Sequence, residues 1–185
     1  MIGNQYGRDE RSANPDATTW DEVSRGPGRM LLGRNALPAA LYEAFKFGQL
    51  GKREHLDELA RGVNNAWTSA EFPGLFLDRD TWLEMLSTTG FLYGEQRAPE
   101  KRPTTRVRVW RGAPAAHRRG LAWTVDRERA EWFRDRNLDF GLDAKLWTLL
   151  APPASILADF RDDEGGRHEG EYLVDTYTLD PEEVA

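Results

Sequence analysis

The sequence predicts an α+β fold in which a helical first part precedes a mostly β second part. Residues 36–90 carry apolar side chains at helical spacing, whereas residues 104–185 contain short runs rich in β-branched and aromatic residues. Of the 185 residues, 39% are hydrophobic and 30% are charged. This chain is therefore long enough and apolar enough for a globular protein with a substantial core.

Residues 1–30 are polar and rich in Gly, Pro, Asn and Asp, which predicts a flexible N-terminal arm. The stretch GPGRMLLG at residues 26–33 superficially resembles a phosphate-binding glycine loop. It has neither the G-x-G-x-x-G nor the Walker spacing, and no strand-like run precedes it. We therefore predict no nucleotide site there.

Residues 31–103 are predicted to form a helical lead-in that packs on a β-rich core. Leu56, Leu59, Val63 and Trp67 recur at positions i, i+3, i+7 and i+11. This spacing places the four side chains on one face of a helix, which we expect to be buried.

A second helix is predicted within the stretch LDRDTWLEMLSTTG. Asp78 is expected to cap its N-terminus, and Gly90 is expected to end it. Trp82, Met85 and Leu86 form its predicted buried stripe. We assign no chemistry to these helices from the sequence.

The pattern over residues 104–185 is that of a β-rich core. The predicted strands are RVRVW (106–110), LAWTV (121–125), KLWTLL (145–150), SILADF (155–160) and EYLVD (171–175). A single helix is predicted between them, over residues 127–136, with Asp126 as its N-cap and with Ala130 and Phe133 facing inward.

The composition excludes several classes of function. The chain has no cysteine, so disulfides, thiol nucleophiles and cysteine-bound metals are excluded. The three histidines His55, His117 and His168 have no metal-binding spacing, and no nucleophile-elbow motif accompanies them, so we predict neither a metal site nor a Ser-His-Asp triad. The net charge of −6 argues against non-specific binding of nucleic acid or anionic membranes by the whole surface.

The first residues contain no apolar signal region, and no later segment approaches about 18 consecutive apolar residues. We therefore expect a cytoplasmic location and no membrane partner. A toxin delivered without a leader into a host cytoplasm would have the same features. The pattern does not indicate an oligomeric state.

Residues 101–120, KRPTTRVRVWRGAPAAHRRG, form a cationic island with seven Lys or Arg residues and no acidic residue. Such an island suits a phosphate or diphosphate ligand. Arg111 lies just past a predicted strand and beside Gly112, where the backbone can approach a ligand closely. The alternative is a solvated strand edge whose charges discourage aggregation.

A pair of carboxylates, Glu169 and Glu171, directly precedes the apolar run Tyr172-Leu173-Val174. Residues i and i+2 of a strand share a face, so the two carboxylates are expected to lie side by side. Paired carboxylates can serve acid–base chemistry, and a carboxylate beside a sugar C1 stabilises an oxocarbenium-like transition state. The alternative is that both side chains are solvated at a loop–strand junction.

In their order along the chain, three of these segments resemble the mono-ADP-ribosyltransferase fold in its arginine–serine–glutamate class, which includes toxin-like bacterial and phage enzymes. That class has an arginine ending its first core strand, a Ser-Thr-Ser strand followed by a helix, and an E-x-E or Q-x-E motif entering a later strand. The corresponding segments here are VWRG, LAWTVDRERAEWF and EGEYLVD. This resemblance covers roughly residues 106–179 and implies a mostly antiparallel, two-sheet core of split β-sandwich type.

The resemblance also implies roles for individual residues. Arg111, with Gly112 beside it, would bind a phosphate of NAD. Glu171 would hydrogen-bond the nicotinamide ribose and stabilise the charge that develops as nicotinamide leaves. Glu169 would orient or activate the acceptor.

The Ser-Thr-Ser element is replaced here by Ala122, Trp123 and Thr124. In the family the first serine helps to position the catalytic glutamate, and Ala122 has no hydroxyl with which to do so. Three alternatives follow: Thr124 takes over this role, catalysis is weakened, or the scaffold has lost activity. Thr124 falls at the last position of the element and is a candidate cofactor-binding residue. Trp123 is a candidate lining of the nicotinamide pocket, with a place in the core as the alternative.

The implied activity is NAD-dependent transfer of ADP-ribose to a macromolecular acceptor, which is an arginine or another nucleophile. NAD is a substrate in this reaction, and no metal is expected. Three alternatives remain: an NAD glycohydrolase, a non-catalytic binding module on the same scaffold, and a nucleic-acid-binding domain that uses the cationic island. The sequence does not identify the acceptor as protein or nucleic acid.

Overall fold

The structure, a computed structural model, describes residues 14–26, 30–161 and 170–184. It is an α+β fold in which helices precede a mostly antiparallel sheet. The α-helices are α1 (Trp20–Val23), α2 (Leu37–Lys46), α3 (Leu56–Ser69), α4 (Pro73–Phe76), α5 (Arg79–Thr89) and α6 (Arg127–Asp139). The strands are β1 (Leu92–Tyr93), β2 (Gln96–Arg97), β3 (Val107–Pro114), β4 (Ala122–Thr124), β5 (Ala144–Ala151), β6 (Ile156–Asp159), β7 (Glu171–Val174) and β8 (Glu182–Glu183). The predicted α+β class is confirmed.

The described strands form one sheet of eight, in the order β2-β1-β6-β7-β4-β3-β5-β8. Neighbouring strands are antiparallel except for β1 and β6, which are parallel. The prediction of two sheets is wrong in this respect, because β4 pairs with both β3 and β7 and so joins the two halves. The pairing between β3 and β4 is short, and its register is Trp110 opposite Thr124.

The helical part forms a core with one face of the sheet. Helix α3 buries Leu59, Val63 and Trp67 of the predicted stripe, and Leu56 is partly buried against the same cluster. The sheet contributes Leu92, Ala158 and Leu173 to this core, and Leu121, just before β4, joins them. The helical lead-in therefore packs on the sheet as expected.

Local signals fix the ends of two predicted helices. The Asp78 carboxylate accepts a hydrogen bond from the backbone N–H of Thr81 at 2.8 Å, which caps α5. Gly90 follows the last residue of α5 with a φ of +77°, a conformation that favours glycine. Asp126 caps α6 by accepting hydrogen bonds from the N–H groups of Glu128 and Arg129. Ala130 is buried as predicted, and Phe133 is half-buried.

Two predicted boundaries differ from the structure. Ala17, Trp20 and Val23 lie in the helical core, although the arm was predicted to extend to residue 30. A capping box between Thr19 and Glu22 stabilises this short α1 turn. Strands β1 and β2 precede residue 104, so the sheet begins within the predicted lead-in.

A second core lies among the strands and includes Val109, Trp123, Trp147, Ile156 and Tyr172. Helix α6 packs across β3. In the part of the chain that the structure describes, no helix has both the length and the apolar character needed to span a membrane.

Candidate active site around strand β4

The structure brings three of the predicted site residues to strand β4. Thr124, on β4, lies directly opposite Glu171, the first residue of β7. Arg111, on β3, donates a hydrogen bond from Nη1 to the carbonyl oxygen of Ala122, the first residue of β4, at 2.6 Å. Side chains of directly opposite residues in an antiparallel pair lie on the same face, so Thr124 and Glu171 are neighbours.

The guanidinium of Arg111 is half-buried and held by backbone carbonyls. Besides its contact with Ala122, its Nε donates to the carbonyl of His117 at 3.1 Å. A Cβ at Gly120 would lie 2.4 Å from Nη2 of Arg111, so the missing side chain leaves the room that the guanidinium occupies. Among the described residues, Nη2 has no hydrogen-bond partner and can therefore serve as a donor to an anion.

Arg111 remains a cation at neutral pH, although it is surrounded by protein. Burial lowers the pKa of Arg111 to about 10, and the carboxylate of Glu171 acts in the opposite direction. The two side chains are thus electrostatically coupled across β4. A half-buried cation next to a carboxylate is an arrangement that can bind an anion and stabilise a neighbouring positive charge.

Glu171 is half-buried and receives a hydrogen bond from the helical part of the molecule. The indole Nε1 of Trp67, on α3, donates to Oε2 of Glu171 at 3.1 Å. The backbone carbonyl of Glu171 also accepts a hydrogen bond from the N–H of Phe160 at 2.8 Å, just past β6. Both the side chain and the backbone of Glu171 are therefore held.

An ion pair between a buried carboxylate and a partly exposed arginine lies beside this strand pair. Asp159, at the end of β6, is 3% exposed and opposite Tyr172. Arg161 binds it with Nε at 2.9 Å from Oδ1 and Nη2 at 2.7 Å from Oδ2. The Arg161 guanidinium also lies 4.6 Å from the centre of the Tyr172 ring. This bidentate pair gives both oxygens of the buried Asp159 carboxylate a charged partner, one residue along from Glu171 in the strand register.

Gly170 controls how the chain enters β7. Its φ is +59°, and a Cβ at this position would lie 3.3 Å from Oγ1 of Thr124. Thr124 is buried, and its hydroxyl oxygen accepts a hydrogen bond from the N–H of Asp126 at 3.0 Å. Gly170 has no side chain, and it therefore leaves room for the Thr124 hydroxyl next to Glu171.

Two of the predicted cofactor-binding residues have other contacts. Trp123 is 1% exposed in the strand core, and its indole N–H donates to the carbonyl of Gly120 at 2.8 Å. A Cβ at Gly112 would lie 2.1 Å from the backbone oxygen of Ala130, so the close approach that this glycine permits is that of helix α6. Trp123 thus takes the core position that was its alternative, because its large apolar ring is buried among strand side chains.

Five other members of the cationic island have separate partners. Arg119 forms an ion pair with Asp180, and Arg108 donates to the hydroxyl of Thr148. Lys101, Arg102 and Arg118 lie over the rings of Tyr93, Phe91 and Trp147. Arg111 is the member that reaches β4. Glu169 and His168 lie outside the described residues, so the position of the second carboxylate is not described.

Trp67 is the site residue that sequence reasoning missed. It was assigned only to the apolar stripe of α3, because its spacing fits a buried helix face. The available signal was its polar N–H, since a buried tryptophan usually finds a hydrogen-bond partner. That signal does not identify a partner 104 residues away along the chain.

Comparison with protein-family models, with curated proteins and with solved structures gives no match. Within the ranges that the structure describes, no group of three or more His, Cys, Asp or Glu side chains could hold a metal ion. Evidence on function therefore comes from the geometry around β4.

Proposed function

We propose that the chain is an NAD-consuming enzyme that transfers ADP-ribose to a macromolecular acceptor on an ADP-ribosyltransferase-like core. The observation that carries the proposal is the convergence on β4 of Arg111, Thr124 and Glu171 from three separate segments. These are the segments whose order resembles the arginine–serine–glutamate class. NAD is cytoplasmic, so the proposed site of action is a cytoplasm, either the producing cell's own or that of a host.

In the proposed reaction, the glycosidic bond between C1 of the ribose and the nicotinamide nitrogen breaks. The bonding electron pair leaves with nicotinamide, and the ribose acquires oxocarbenium character. Glu171 stabilises this positive charge, while the Nη2 group of Arg111 binds a phosphate of NAD. A nucleophile of the acceptor then forms the new bond to C1 and loses its proton to Glu169 or to solvent, and Glu169 is proposed to orient or activate that nucleophile. With water as the acceptor, the same site would act as an NAD glycohydrolase.

The catalytic role is tested by nicotinamide release from NAD, with cell lysate present to supply acceptors. Glu171→Gln removes the charge at nearly constant shape, and we expect kcat to fall by roughly 100-fold or more. Glu182→Gln, an exposed glutamate on β8, is the matched control and should retain wild-type activity. Wild-type protein that releases no more nicotinamide than Glu171→Gln would show that the enzymatic proposal is wrong.

The NAD-binding role of Arg111 has a separate test. Arg111→Lys keeps the charge but loses the planar fork that holds two carbonyls while presenting Nη2, so we expect KM for NAD to rise about 10-fold. Arg108→Lys is the control, since Arg108 lies on the same strand and is exposed. Equal KM values for the two variants would exclude Arg111 as a phosphate ligand.

The second candidate function is a non-catalytic binding module, and the observation that favours it is Ala122 at the first serine position. Calorimetry with NAD discriminates between the two functions. An inert module would show no saturable heat on titration with NAD, whereas the proposed enzyme would show saturable binding that Arg111→Lys weakens.

A further inference from the structure

The side chain of Glu171 is held by a residue from a part of the chain to which the sequence assigned no chemistry. Trp67 lies in the last turn of α3, and its indole N–H donates to Oε2 of Glu171 at 3.1 Å. An indole N–H is a donor only, so it can hold a carboxylate oxygen but cannot take a proton from it. The contact therefore orients Glu171 without competing for its chemistry.

The donor is itself fixed in place. Trp67 is 6% exposed and packs edge-to-face on Trp82, with ring centroids 5.0 Å apart and an interplanar angle of 81°. Trp82 is fully buried, and its indole N–H donates to the carbonyl of Pro73 at 3.2 Å. Because both rings are packed in the helical core, the N–H of Trp67 has little freedom to turn away from Glu171.

Ala122 cannot make this contact. Its side chain has no donor, it lies opposite Leu173 in the β4–β7 pair, and its carbonyl is engaged by Arg111. A carboxylate that must point at a reacting ribose needs a partner that fixes its rotamer. The hydrogen bond from Trp67 is such a contact, because its indole N–H holds Oε2 of Glu171 at 3.1 Å.

We propose that Trp67 is a positioning residue for Glu171 and that its indole N–H does the work of the side-chain hydroxyl missing at residue 122. The inference rests on the proposed function. It assigns the helical lead-in a direct part in the site, because α3 then supplies a hydrogen bond to the catalytic carboxylate. Removal of the indole N–H should leave NAD binding intact and impair the chemical step.

Trp67→Phe tests this, with Trp20→Phe as its matched control. Trp20 is 5% exposed in the same helical core, and its indole N–H donates to Asn65 of the same helix α3 at 3.2 Å. Both variants lose one indole hydrogen bond from the helical core, but only Trp67→Phe affects Glu171. We expect Trp67→Phe to lower kcat for nicotinamide release by about 10- to 100-fold with little change in KM, and Trp20→Phe to retain kcat.

A second measurement does not depend on turnover or on a stable Trp67 variant. In ¹H–¹⁵N spectra of folded Glu171→Gln, the indole resonance of Trp67 should shift from its wild-type position, while that of Trp20 should not. Triple-resonance spectra of the wild-type protein assign the two indole resonances, so no Trp67 variant is needed. An unshifted Trp67 resonance, or equal kcat values for Trp67→Phe and Trp20→Phe in an active protein, would overturn the inference. An inactive wild-type protein would instead overturn the proposed function, and the role of Trp67 in it would fall with it.

Discussion

At the scale of single residues, the planar guanidinium of Arg111 has two roles. Nε and Nη1 are used by the carbonyls of His117 and Ala122, which ties the loop before β4 to strand β3. Nη2 points to the space left by Gly120. A lysine could supply the charge but not this set of directed donors. The side chain therefore braces β4 and at the same time presents a cation near Glu171.

Gly170 gives a stability prediction at the same scale. Gly170→Ala places a Cβ in a left-handed conformation, which costs roughly 1–2 kcal/mol. The Cβ also meets Oγ1 of Thr124 at 3.3 Å. Because that oxygen is already bonded to the N–H of Asp126, it cannot move away freely, and we expect about 1 kcal/mol of further destabilisation. Urea unfolding measures both contributions together.

Gly141→Ala separates those two contributions. Gly141 has a φ of +75°, and no atom lies within 4 Å of a Cβ placed there, so this variant carries the conformational cost without the contact. The difference in the free energy of unfolding between the two variants is the cost of crowding Thr124. If Gly170→Ala is no less stable than Gly141→Ala, the inference that the Thr124 hydroxyl cannot move away from the added Cβ is wrong.

At the scale of elements, the approach of α6 to β3 depends on Gly112. A Cβ there would lie 2.1 Å from the backbone oxygen of Ala130 and 2.3 Å from the backbone nitrogen of Arg134. Helix backbone cannot rotate away as a side chain can, so the helix would have to lift from the strand. We expect Gly112→Ala to lower the free energy of unfolding by about 2–3 kcal/mol.

The control for that variant is Gly74→Ala in α4, where no atom lies within 4 Å of the added Cβ. It should change the free energy of unfolding by less than about 1 kcal/mol. A Gly112→Ala protein as stable as Gly74→Ala would contradict the packing argument. Weaker NAD binding with full stability would instead favour the role that the sequence predicted for Gly112 in cofactor binding.

Elements with a strong local signal could be predicted from the sequence, and those that depend on partners could not. The runs that became β3 and β5 are rich in Val, Leu and Trp, and the caps Asp78 and Asp126 need only neighbouring N–H groups. Strands β1 and β2 contain two residues each, too few for a period of two to appear. The pairing of β1 with β6, which is distant along the chain, is a tertiary effect.

The candidate site divides in the same way. Arg111, Thr124 and Glu171 were predicted together because each belongs to a short segment whose order resembles a known class. The contact between Trp67 and Glu171 joins residues that are 104 positions apart, and no local pattern encodes that distance. Burial of Trp123 was left open by the sequence, since a tryptophan within a strand is compatible with a core or a pocket.

At the scale of the whole molecule, two cores share one sheet. The helical core includes Ala158 and Leu173 from the strands, together with Leu121 just before β4. The strand core uses the opposite side chains of β7, Tyr172 and Val174. Strand β7 is therefore buried on both faces, which explains its continuous apolar run. Glu171 lies at the start of this doubly covered strand, where helix α3 can reach it.

This arrangement predicts that residues 104–185 do not fold without residues 14–103. Separation would expose Leu121, Ala158 and Leu173 and remove β1 from the edge of β6. Exposure of apolar surface costs about 25 cal/mol per Å², so the loss of one face of the core outweighs the net stability of a typical domain. We expect the 104–185 fragment to show poor amide dispersion and no cooperative thermal transition, and the 14–185 chain to unfold in one transition. A cooperative transition in the isolated fragment would show that the β-rich part is an independent domain and that the helical core is only an attachment to it.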